Sequence, residues 1–349
     1  MRAFAGHVRL LLSGFALIWV VHALSFVVFA YEPAAFYYRA WEYFDAFPYR
    51  SRAFPPVWQR HESGDLSNRH LLLYRESWPT RVTADEDGFR SVPYEAEAYP
   101  ILVNGDSAVW GSGLSDRATL PYALAEQLAV PVFNGARTPL RNALLHPRVS
   151  GAQLVIDGRS ERSITRRVFT PRHRGKGYEP LIRDDLGRWS AVLAVEPMRY
   201  SPVVRLASWA GRLKADLQVA RGEQEFAGAL VTRHRRRESD LTAAVKAIVS
   251  RRRALAASGR RYVLVPIPSK QTLLGQGDAY TRGYLRLLFA ELAKHDVDFV
   301  DLLTPFERHR GAPLYRRYDS HWTPTGSLLA AAEVARYLER RGLVPKAGN

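Results

Sequence analysis

The chain has 349 residues, 47% of them hydrophobic and 24% charged, with 50 Lys and Arg against 34 Asp and Glu. That size and balance exclude a minimal domain and a disordered chain, and fit one large α/β domain with insertions or two smaller domains. The absence of Cys excludes disulfides, thiolate metal sites and a Cys nucleophile, while the formal +16 favours an anionic partner or marks the solvated surface of an Arg-rich chain.

The first element in chain order is Leu10–Ala30, LLLSGFALIWVVHALSFVVFA, which carries no full charge. A helix of that length rises far enough to cross a hydrocarbon core of about 30 Å. Arg2 and Arg9 precede it and Glu32 follows, so the positive-inside rule places the N-terminus in the cytoplasm and the rest outside, in a bacterium the periplasm. A cleaved signal peptide ending near Ala30 is the rival reading. Residues 1–31 are thus a stub and anchor, and residues 32–97 a lead-in with few periodic runs.

From Tyr99 short apolar runs alternate with helical stretches. Strands are expected at Ile101–Val103, Val130–Phe133, Ala152–Asp157, Arg261–Pro268 and Val297–Leu303. Helices are expected at Leu120–Leu128, Leu241–Ala257, Tyr280–Ala293 and Ser327–Glu339. That rhythm predicts an α/β domain over 98–349 with a mostly parallel sheet flanked by helices. Residues 171–238, rich in Arg, Pro and Gly, interrupt it as an insertion, with a helix possible over Val203–Val219. The insertion is a place for substrate contacts or a solvated basic surface. No zinc-finger spacing, RNP-like aromatic run or helix-turn-helix is legible, so nucleic acid is not an expected partner.

The stretch YPILVNGDSAVWGSG, Tyr99 to Gly113, places Ser107 just past the first core strand. Ligands of open parallel sheets bind at the carboxyl ends of strands. A Ser hydroxyl there is a nucleophile only if a His takes its proton and a carboxylate orients that His; otherwise it caps a turn. The second requirement is met in YRRYDSHWTPTG, where Asp319 and His321 lie in a loop that follows the last strand and precedes the last helix. The two motifs, at opposite ends of the domain and both at strand ends, make a relay of Ser107, His321 and Asp319. Gly111 and Gly113 are read as letting substrate approach the backbone.

These residues resemble the SGNH (GDSL-type) hydrolase superfamily. NGDSAVWGSG matches its nucleophile block, and DSHWTPTG is similar to the Asp-x-His-Trp-x-x-x-Gly of the alginate O-acetyltransferase branch, as is VLVPIPSKQTLL, Val263 to Leu274. The resemblance spans about Tyr99 to Leu338 without the insertion. It implies an SGNH-type, flavodoxin-like sheet, Ser107 as nucleophile, His321 as base and Asp319 as its orienter. It further implies O-acetyl transfer to a secreted polysaccharide, with no cofactor and with a multi-pass membrane acyltransferase as acetyl donor. The usual Gly-x-Asn-Asp block is missing; IDGRSER stands in its place, and Gly135 matches the second block only loosely. The oxyanion donors are therefore the Ser107 N–H with Asn134, Asn142 or Arg159 as side-chain candidates. Arg159 and Arg162 are alternatively anion-binding residues or partners of Asp157 and Glu161. Trp110 and Trp322 are sugar-stacking or core residues, and Lys270 a substrate contact or helix-start residue. No metal constellation is legible. The rival functions are an SGNH-type carbohydrate esterase and a non-catalytic polysaccharide-binding subunit.

Overall fold

The computed structural model describes residues 57–64, 76–85, 87–170, 237–275 and 278–345, with scattered helical positions in 12–24 and 211–221. The described positions of the expected anchor (12–17, 19–20 and 23–24) are helical and exposed, and no described helix is long and apolar enough to cross a membrane. The rest of that span, and most of the 171–238 insertion, lie outside the described residues. Within the expected helix over 203–219, positions 211, 213–214 and 216–218 are helical.

Two sheets form. The lead-in folds into an antiparallel hairpin of β1, Val57–Ser63, and β2, Ser77–Thr83. The second sheet contains β3 (Ile101–Gly105), β4 (Val132–Asn134), β5 (Leu154–Ser160), β6 (Arg261–Ile267) and β7 (Asp298–Phe299). It is parallel throughout, in the order β4-β3-β5-β6-β7. The chain runs from β3 outward to β4, then returns to pair β5 on the other side of β3. This reversal makes a switch point, and crevices at such points open at the carboxyl ends of the strands. The order is the flavodoxin-like one expected for the sheet.

Both faces of this sheet are covered, so its strands alternate between two cores. Ile101, Val103, Val263 and Val265 face one core, with helix α2 (Leu120–Leu128) and the last helix, α9 (Pro324–Arg340). Leu102, Val155, Tyr262 and Leu264 face the other, with α5 (Glu238–Ala256) and α7 (Ala279–Lys294). Short helices complete the described chain: α1 (Ser107–Trp110), α3 (Leu140–Leu144), α4 (Arg166–Phe169), α6 (Lys270–Leu273) and α8 (Leu303–Arg308).

One expected strand is corrected. Val297–Leu303 is strand only at Asp298–Phe299. Asp301 Oδ1 accepts the N–H groups of Leu303 and Thr304, so the apolar run turns into α8 instead of continuing the sheet.

Candidate active site

The nucleophile turn is built by small residues and one carboxylate. β3 ends at Gly105, where a Cβ would lie 2.4 Å from Val109 Cγ2 and 2.6 Å from Gly158 O. A Cβ at Gly158 would lie 2.5 Å from the same Val109 methyl. The two glycines therefore let Val109, and with it α1, seat directly on the ends of β3 and β5. Asp106 caps α1, Oδ1 accepting Ala108 N–H at 3.1 Å. Its Oδ2 accepts Ser160 N–H at 2.9 Å, Ser160 Oγ–H at 2.5 Å and Ser163 Oγ–H at 2.8 Å. Burial of the carboxyl would push its pKa up, but these hydrogen bonds and the charge of Arg159 hold it below the usual 3.8. Asp106 thus staples the nucleophile turn to the end of β5, and Ser107 becomes the first residue of α1.

The base arrives on the loop before α9. Thr323 caps that helix, its Oγ1 accepting Gly326 N–H at 3.2 Å. A Cβ at Gly326 would lie 2.3 Å from Leu314 O, so glycine is required where the helix start meets the incoming chain. The loop itself is tied at both ends by the bridge between Tyr315 and Trp322. Within it, Asp319 is fully buried and His321 is 5% exposed.

The three side chains meet. Ser107 Oγ lies 2.8 Å from His321 Nε2, and His321 Nδ1 lies 2.7 Å from Asp319 Oδ1. Asp319 Oδ1 also accepts His321 N–H at 2.9 Å, which fixes the imidazole against its carboxylate. With Nδ1–H donating to Asp319, Nε2 is the unprotonated nitrogen facing the hydroxyl. This is the arrangement that lets a His take the Ser proton while a buried carboxylate stabilises the imidazolium.

The other expected site residues divide. Arg159 lines the cleft beside Ser107, and its guanidinium is committed: Nε donates to Asp157 Oδ1 and Nη2 to Asn104 Oδ1, each at 2.6 Å. Arg162 Nη1 donates to Ser320 Oγ at 3.0 Å, between the catalytic Asp and His. Glu161 accepts Ser269 N–H and Thr272 Oγ1–H. Asn134 is buried, its Oδ1 accepting Ala136 N–H, while Nδ2 has no partner. Asn142 is buried in α3; neither Asn lines the cleft. Gly135 N–H extends the sheet by donating to Val103 O at 2.9 Å, so it offers no oxyanion contact. Ser107, as the first residue of α1, has a backbone N–H with no partner inside the helix.

The core alternative holds for both tryptophans and the helix-start alternative for Lys270, the first residue of α6, while the reading of the two glycines is corrected. Trp322 is fully buried in the core, and Trp110 is 8% exposed beneath the Arg90 and Arg137 guanidinium groups. Neither offers a face to a sugar. Lys270 Nζ donates to Arg316 O at 2.8 Å and to Arg317 O, so it holds the base loop. Gly111 and Gly113 are buried: Gly111 caps α1 at φ 92°, and Gly113 O accepts Trp78 Nε1–H and Arg316 Nη2–H. Protein, not substrate, approaches that backbone.

Sequence reasoning missed Arg90. It is 2% exposed, pairs with Asp116 at 2.8 Å, and donates to the carbonyls of Trp110, Gly111 and Leu114 behind the nucleophile. A cleft of about 630 Å³ opens beside Ser107, lined by Arg137, Arg141, Arg159 and Arg251 among polar groups and by Leu140, Leu144, Val168, Phe169 and Leu255. Its size falls in the range of about 300–1,000 Å³ usual for ligand pockets. Among the described residues no three His, Asp or Glu side chains are grouped to hold a metal ion.

Residues 226–349 match the family model described as the SGNH hydrolase-like domain, acetyltransferase AlgX. The matched part contains Asp319, His321 and Lys270. A comparison with curated proteins gives no match. Among solved structures, a candidate SGNH hydrolase from Slackia heliotrinireducens is 17% identical, covering 69% of this chain and 99% of that one, at a TM-score of 0.36. A lipase/acylhydrolase from Enterococcus faecalis is 10% identical, covering 70% and 96%, at 0.39. A lipolytic protein of the G-D-S-L family from Desulfitobacterium hafniense is 11% identical, covering 68% and 99%, at 0.37.

Proposed function

We propose that this chain is a serine O-acyltransferase that acylates a secreted or cell-surface polysaccharide through an acyl-Ser107 intermediate. The observation that carries the reading is the continuous relay from Ser107 Oγ through His321 to buried Asp319, at 2.8 and 2.7 Å. His321 Nε2 takes the hydroxyl proton as Oγ attacks the acyl carbon. The bond from that carbon to the donor oxygen then breaks, and the proton passes from His321 to the leaving group. A sugar hydroxyl next gives its proton to the same nitrogen and attacks the acyl-serine carbonyl, and Oγ leaves with the proton. Asp319 stays ionised throughout and holds Nδ1–H.

The cleft beside Ser107 supports an acceptor larger than water. It exceeds what an acetyl group fills, and four lining arginines against Asp106 and the buried Asp157 that pairs Arg159 and Arg251 leave a net positive lining that suits an anionic polymer. The match to an acetyltransferase family model over 226–349 supports acetyl as the group transferred. An apolar N-terminal span then anchors the enzyme in the inner membrane with its site in the periplasm, where a multi-pass acyltransferase delivers the acetyl group.

The test compares polymer from a strain expressing the intact chain with polymer from a strain expressing Ser107→Ala. Loss of O-acetyl in the variant is the expected result. Equal acetylation refutes the transferase, and increased acetylation replaces it with an esterase.

A further inference from the structure

The two halves of the relay are 214 residues apart in the chain and reach the site on separate loops. Besides the turn at the end of β5, which bonds Asp106 through Ser160 and Ser163 and Ser320 through Arg162, an element outside the five-stranded sheet touches both loops. Strand β2 is fastened to the loop behind the nucleophile. Trp78 Nε1–H donates to Gly113 O at 2.8 Å, Arg81 N–H to Ser115 Oγ at 3.0 Å, and Thr83 N–H to the Asp116 carboxylate at 3.0 Å.

The other end of the same hairpin, where Gly64 follows β1 and Glu76 precedes β2, is fastened to the base loop. Glu76 Oε2 accepts Tyr318 N–H at 3.1 Å, immediately before the catalytic Asp319. Gly64, at the end of β1, lies so close that a Cβ there would stand 2.0 Å from Tyr318 O. Arg316 joins the two attachments: its guanidinium lies 3.6 Å over the Trp78 ring and donates to Gly113 O at 3.1 Å.

We propose that the β1–β2 hairpin is a brace that sets the distance between Ser107 and His321, with Glu76 a positioning residue that acts through the Tyr318 backbone on Asp319. The proposal rests on the acyl-serine reading above. Its physical basis is the narrow tolerance of the relay. The Ser–His contact depends on where two loops stop, and a displacement of about 1 Å at a reacting centre can cost on the order of 10²-fold in rate.

The test uses the full chain in detergent and a fluorophosphonate probe. Ser107 Oγ bonds to phosphorus, fluoride leaves, and the hydroxyl proton goes to His321, so the labelling rate reads nucleophile activation without any native substrate. Glu76→Asp keeps the charge but withdraws the acceptor by one methylene. Glu76→Gln keeps the reach but removes the charge. Glu76→Asp is expected to label roughly 10- to 100-fold more slowly at an unchanged melting temperature. With an acetyl-ester reporter its kcat falls while KM holds. Glu76→Gln, whose amide oxygen accepts the same N–H, is expected within roughly threefold of the parent. The brace is overturned if Glu76→Asp labels at the parent rate, if Glu76→Gln is as slow as Glu76→Asp, or if slowing tracks loss of folded protein. A parent chain that resists the probe overturns the acyl-serine reading and the brace with it.

Discussion

Replacing Asp106 by Asn keeps the shape of the side chain and removes its charge. The carboxylate receives four donors: Ala108 N–H, Ser160 N–H, Ser160 Oγ–H and Ser163 Oγ–H. An amide accepts at one atom, and its NH₂ would face either the cap donor or the three donors on the β5 side. Hydrogen bonds to a charged acceptor contribute about 1.5–3 kcal/mol each. The loss is well below four such bonds, because the two serines also bond each other at 3.1 Å and Ser163 Oγ already reaches Ser160 O at 2.8 Å. What remains is one unpaired backbone N–H and a weaker cap, about 2–3 kcal/mol. For a domain of this size that lowers the melting temperature by roughly 5–10 °C. The pH dependence follows from the direction of the Asp106 shift. Its folded pKa is below the usual 3.8, so its contribution is complete above that value and is lost as pH falls through the folded one. Asp106→Asn has no such contribution to lose. Thermal melts of both proteins should therefore differ at pH 7 and begin to converge only as pH falls below 3.8. A variant that melts with the parent at pH 7, or a gap that persists unchanged to pH 3, would refute the staple.

Asp319→Asn should leave the fold intact and lower acetyl-ester turnover by about 10³- to 10⁴-fold, because the amide favours the wrong imidazole tautomer; near-parental turnover would remove Asp319 from the relay. Gly158→Ala should destabilise by about 1–3 kcal/mol through its clash with the Val109 methyl, and Val109→Ala should relieve much of that added cost in the double variant. Gly105→Ala should not be relieved in this way, since its Cβ also meets the Gly158 carbonyl at 2.6 Å. Equal rescue at both positions in denaturant titrations would contradict this packing. Lys270→Met should lower kcat with KM little changed, because the lost bonds hold the Arg316 and Arg317 carbonyls; a raised KM at constant kcat would make Lys270 a substrate contact after all.

The parallel sheet was legible because its strands are buried on two faces and read as plain apolar runs separated by helical periods. The helix expected at Leu120–Leu128 is observed with those bounds. The placement of Ser107, Asp319 and His321 was legible because an Asp two residues before a His needs little structure to reach its Nδ1. The strand end at Val297–Leu303 was not, since one side-chain cap at Asp301 outweighed five apolar residues. The tryptophans stayed open between two readings for a related reason. An aromatic beside a catalytic residue has the same letter whether its ring faces the cleft or the core, and Trp322 faces the core.

The lead-in, read as having few periodic runs, carried a signal over β2. Trp78, Thr80 and Val82 are buried while Pro79 and Arg81 are exposed, a period of two over β2. Its function left little trace, because part of its hold on the two loops falls on backbone atoms. Tyr318 N–H, Gly113 O and Tyr318 O, which the hairpin meets, are main-chain atoms. The same holds for Lys270 on Arg316 and Arg317. A catalytic Ser, His and Asp must be particular residues and so announce themselves. The groups that hold their loops bind carbonyls and amides that any residue supplies, and only the fold shows which ones they are. That asymmetry is why the chemistry of this site could be read at two short motifs, while what sets the distance between them lay in a segment that looked featureless.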